Sequence, residues 1–205
     1  IQPFTSDGET MDNASYVQFI KAVEKIVRTS PEYSTYIGYL KSEMDMGRCS
    51  FLQNVTAELA TLEMHHYPLT LYDLCEIVSE AKFNSGEKVT TFSIADTVLK
   101  LHFENKVGML PLSKTVHQLA HSGQLFIDLR QVFGKVKEFL TEYADSVTDD
   151  QKVKLEKLIK MTQDDRPYSL SDVLQVDDKR FHRTVVPFTG DAIKALETPE
   201  ADEDN

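Results

Sequence analysis

Six histidines occur in the 205 residues, and four of them form two tight pairs: His65 beside His66, and His117 with His121. Four-residue spacing puts both members of the second pair on one face of a helix. The first pair ends a stretch, 61–64, in which polar and apolar residues alternate as in a strand. A fold that packs this helix against this strand gathers the imidazoles in one place. Three of them then suffice for a metal ion, and the fourth is left for proton chemistry. Either pair alone is commonplace polar filler on a surface or in a core.

The surroundings of these pairs set the fold class. Hydrophobic residues make up 41% of the chain, enough for one compact domain with appendages. No apolar run approaches the roughly 18 residues of a membrane span. The beginning lacks the charged-then-apolar pattern of an export signal, so a cytoplasmic location is expected. Cys49 and Cys75 are far apart and form no knuckle, which excludes a cysteine-based zinc site; reduced thiols are the simpler reading. The formal charge is −11, and Glu197, Glu200, Asp202, Glu203 and Asp204 crowd the far end. Such a chain is a poor non-specific ligand for nucleic acid, because phosphate repels it.

Periodicity predicts a mostly α-helical α+β protein. Asn13 caps a helix over about 14–28 with Val17, Ile20, Val23 and Val27 on its apolar face. Ser30 and Pro31 start a second helix carrying Tyr33, Tyr36, Ile37 and Leu40, closed by Gly47. Segments 49–58 and 59–67 read as a β-hairpin turning near Glu58. Thr70 caps a helix over 71–83, and 88–92 is a linker or short strand. Ser93 caps a helix over 94–104. Pro111 bars a helix through itself, and Ser113 caps a short helix that Gly123 ends. Residues 127–145 form one amphipathic helix, and Thr148 with Gln151 opens another as a capping box. Pro167, Pro187, Gly190 and Pro199 punctuate an irregular acidic tail. The divisions are a helical pair at 1–47, a ββα core with inserted helices at 48–126, helices at 127–163, and the tail at 164–205.

The segments LEMHHYPLT (62–70) and MLPLSKTVHQLAHSG (109–123) resemble the HNH, or ββα-metal, endonucleases. Ser113 and Val116 stand where many members carry zinc-knuckle cysteines. The colicin-type members lack those cysteines and keep a His-His pair followed by H-x-x-x-H. The resemblance implies a small ββα-metal core, a hairpin plus a short helix, embedded among helices. It makes His65, His117 and His121 the ligands of one divalent ion (Zn, Ni or Mg), and His66 the general base that activates water. Glu63 or a backbone carbonyl would orient one imidazole through its second nitrogen. The substrate implied is nucleic acid, DNA before RNA. The family's central Asn, nine residues before the first His of the helix pair, is here Gly108, with Asn105 the nearest Asn. Two helices also occupy what is usually a loop between the His pairs.

Two functions follow. One is a metal-dependent HNH-like endonuclease. The other is an inactive HNH-fold protein that binds a partner, such as a phage virion or polymerase-associated component, through its acidic tail. The compact, embellished motif has the look of a bacteriophage-encoded protein, which would place it in the host cytoplasm. His102 and His182 are expected to be satisfied or solvated, not further ligands. The basic cluster 179–183 and Arg48, Lys106 and Lys114 near the motif are the few cations that phosphate would meet.

Overall fold

A computed structural model describes residues 12–162 apart from 53 and 123. The acidic tail and its basic cluster lie outside the described residues. Among those described, seven α-helices and a two-stranded antiparallel sheet make an α+β fold dominated by helix.

Helices α1 (Asn13–Thr29), α2 (Pro31–Ser42), α3 (Leu71–Asn84) and α4 (Thr91–Phe103) form the main core. Each begins where a side chain satisfies the first free backbone N–H groups. Asp12, rather than Asn13, caps α1 by accepting from the Ser15 N–H at 2.7 Å. Ser30 caps α2, with Pro31 in its first turn. Thr70 and Asp73 form a reciprocal capping box on α3. On α4 the cap is Thr90, and the expected cap Ser93 is its capping-box partner three residues in, so 88–90 is no strand. Ile20, Val23 and Val27 of α1 meet Leu40 of α2, Ile77 of α3 and Val98 of α4, all fully buried.

The sheet differs from the expected hairpin. Strand β1 (Leu62–His66) pairs with β2 (Met109–Ser113), in register from Leu62↔Ser113 to His66↔Met109. The described residues of 48–60 form no strand, apart from a single bridge between Arg48 and Thr56. Their backbone groups turn inward on themselves or reach β2: the Cys49 N–H donates to Val55, and the Ser50 N–H to Pro111. Pro111 is tolerated because a two-stranded sheet has only edges. Helices α3 and α4 are therefore inserted between the two strands, and β2 runs directly into α5 (Lys114–His121). Strand, strand and helix thus follow in ββα order. A second apolar cluster, including Cys49, Phe51, Leu62, Leu110, Leu112 and Val116, seats this unit.

The helix expected over 127–145 is broken. A 3-10 turn spans Leu129–Gln131, and α6 covers only Val136–Glu142. Phe133 instead exchanges backbone hydrogen bonds with Met109 at 2.8 and 2.9 Å, extending the edge of β2. Gly134 follows at φ +122°, a conformation closed to other residues. Helix α7 (Asp149–Thr162) completes the described chain.

Candidate metal centre

Ser113 fixes the geometry of the site. It is the last residue of β2 and the N-cap of α5, its hydroxyl accepting from the Val116 N–H at 3.4 Å. Val116 is fully buried in the second apolar cluster and holds α5 against the sheet. His117 and His121, four residues apart, then stand beside β1. Alternation along β1 sends Glu63 and His65 to this side. The ligand nitrogens of His65, His117 and His121 lie within 4.8 Å of one another. Their ring centroids are 4.5–5.2 Å apart.

The hydrogen bonds assign the protons. His117 Nδ1 meets the Glu63 carboxylate. A carboxylate only accepts, so Nδ1 carries hydrogen, and in the neutral ring His117 Nε2 carries the lone pair. His121 Nε2 lies 2.9 Å from that lone pair and donates to it. With the His121 proton moved to its Nδ1, the Nε2 lone pairs of both neutral rings would be open to a cation. Burial first, then repulsion from His117 and His121 when these rings are protonated, holds His65 down at about 4. It is therefore neutral near pH 7, as a metal ligand must be. The carboxylate–imidazole pair is the usual support behind a metal-binding histidine. The donor set accordingly fits a borderline divalent ion such as Zn or Ni better than Mg, which favours oxygen ligands.

His66 is not brought to this centre. The alternation that aims His65 at α5 aims His66 into the helical bundle, where it is only 5% exposed. Its Nε2 lies 3.0 Å from Nε2 of His102, a fully buried residue of α4. His102 Nδ1 donates to the Val98 carbonyl at 2.7 Å, so its Nε2 accepts from His66. Tyr33 stacks on His66, and Tyr33 and Tyr36 meet His102 edge-on. Burial pushes both histidines well below the usual range. His66, the residue expected as general base, thus lies buried, donating to His102, and apart from the three-imidazole cluster. The partner His102 was expected to be satisfied or exposed. Its position on the apolar face of α4, beside Val98 and Leu101, was the available signal of burial.

Gly108 also acquires a physical explanation. Its carbonyl accepts from the Tyr67 N–H at 3.0 Å. A Cβ at this position would overlap the Tyr67 carbonyl and press on Val136. No Asn fits there. Asn105 sits in the turn after α4 at φ 55° and accepts from the Tyr36 hydroxyl at 3.3 Å. Lys106 is engaged by Glu104 and Glu142 at 2.9 and 2.7 Å.

No helix among the described residues is long and apolar enough to cross a membrane. No curated protein and no solved structure matches the chain. The family model that does match, over residues 2–183, describes a phage virion protein and not an HNH endonuclease. That span takes in both His pairs, the inserted helices and α7, and the chain belongs to the bacteriophage G278-like virion protein family.

Proposed function

We propose that this virion-family protein binds one divalent transition-metal ion on His65, His117 and His121, with Glu63 orienting His117, and that the ion's main role is to pin α5 to β1. The observation that carries this reading is the convergence of three imidazoles from two elements on a carboxylate-backed cluster, while His66 turns away. An ion held by a strand and a helix cross-links segments about 50 residues apart, and its binding energy adds directly to the stability of that contact. Partner binding within the particle is then the working role, in keeping with a virion protein.

A second reading keeps hydrolysis. Three protein ligands leave a coordination position open, and an ion there would polarise a phosphate oxygen. A base other than His66 would be required, because that ring is committed to His102. Nucleic acid, DNA before RNA, would be the substrate.

The test is metal content of the full chain, wild type beside His121→Ala and His66→Ala. About one zinc or nickel ion per chain is expected in wild type and in folded His66→Ala, and none in His121→Ala. Equal metal in wild type and His121→Ala would refute the centre. A plasmid-nicking assay on the loaded protein separates the readings: metal-dependent nicking lost in His121→Ala would establish hydrolysis and overturn the purely structural role.

A further inference from the structure

We infer that the cleft beside His65 docks a peptide segment of a neighbouring protein, one that presents a carboxylate next to a large apolar side chain. This goes beyond the metal reading and does not depend on it. The cleft has a volume of about 320 Å³. Tyr67, just past β1, forms one wall, Phe126 from the segment after α5 another, and Leu158 and Met161 of α7 a third. Lys154 and Lys157, three apart on α7 and so on one face, supply its charge.

Three features select the ligand. Phe126 and Met161 are 37% and 52% exposed, so large apolar side chains face solvent where a ligand could cover them. Among its described lining residues the cleft gathers two ammonium groups and no carboxylate, within a chain of charge −11. The local sign is thus opposite to that of the whole protein. A single carboxylate feels the two lysines at contact distance. A long polyphosphate must also pass the acidic surface within a Debye length of roughly 8–10 Å, and is repelled. Lys154, about half exposed, meets only at a long 3.4 Å the Asp73 carboxylate, which already accepts from Thr70. Such pairs are weak, so the lysine can exchange partners at little cost. A peptide supplies both the apolar group that the walls require and the charge that the lysines require. Virion proteins work among close protein neighbours, which provides such segments.

The experiment is fluorescence anisotropy on the full chain, with fluorescein-labelled Ala-Phe-Asp-Leu-Ala-amide as probe. The Asn version of the peptide and a labelled oligothymidylate of about 12 nucleotides serve as comparisons. Lys157→Glu and Phe126→Ser replace exposed side chains, and thermal melting confirms that both variants fold. Saturable binding of the acidic peptide is expected, weakened about tenfold or more by the Asn replacement and by either variant. Equal binding of the Asp and Asn peptides, or unchanged binding by both variants, would overturn the inference. Tighter binding of the oligothymidylate, lost in Lys157→Glu, would overturn it in favour of a nucleic-acid site. Metal content measured on the same samples reports the three-histidine centre separately, so failure of one reading leaves the other standing.

Discussion

Acidification should destabilise the fold through His102, and the size of the effect follows from its surroundings. The ring is fully buried, donates from Nδ1 to Val98 and accepts at Nε2 from His66. A second proton would set two N–H groups face to face in an apolar site. Burial accordingly lowers its value from the ordinary 6.5 to about 4. Between these values the unfolded chain binds a proton that the folded chain refuses, so stability falls as pH falls. The contribution is intact above pH 6.5 and is lost progressively towards pH 4. From pH 8 to pH 5 the loss attributable to His102 is about 2 kcal/mol, or roughly 4–8 °C in Tm for a protein of this size. His66 shifts in the same direction and adds to it. The assay is thermal denaturation by circular dichroism at pH 8, 7, 6 and 5, with chelator present, for wild type and His102→Gln. Glutamine keeps an acceptor for His66 but does not titrate, so the two curves should converge as pH falls. Parallel curves across the whole range would refute the reasoning.

Other perturbations test the site and the core. Glu63→Gln should leave the fold intact, because the side chain is more than a third exposed; metal affinity, measured by chelator competition, should drop about 10–100-fold. Gly108→Ala forces a Cβ against the Tyr67 carbonyl, and urea denaturation should show a loss of roughly 1–3 kcal/mol. Phe139→Ala empties a fully buried site stacked on Tyr143, for which about 3–5 kcal/mol is expected by the same method.

The helices that build the core were legible because caps and apolar stripes are local signals. Thr70 before α3, Ser30 with Pro31 before α2, and Ser113 before α5 each mark a start within a residue or two. Strand β2 was not legible. MLPLS has no alternation, since all five residues are buried, and its proline argues against a strand except at an edge. The break at Gly134 was hidden for a related reason. The pattern from 127 to 145 is amphipathic, but Phe133 is drawn into pairing with Met109, and tertiary pairing overrides local propensity. Spacing was enough to set His117 and His121 on one helix face, whereas the choice of His65 as their companion came from the resemblance to HNH endonucleases. The fate of His66 could not be read from the pair alone, because it depends on what covers the far face of β1, namely α2 and α4.

The insertion of α3 and α4 between the strands has a kinetic consequence. Neighbouring strands usually meet through a tight turn and zip up in microseconds. Here about 40 residues must be ordered before β1 finds β2, and closing a loop of that length costs entropy that local contacts cannot repay. The sheet therefore forms only as the bundle closes, and the imidazoles converge only after the sheet exists. Ion capture should lag helix formation in stopped-flow mixing. Amides of β1 should exchange with solvent at the rate of global opening, so that the three-histidine cluster acts as a reporter of completed folding.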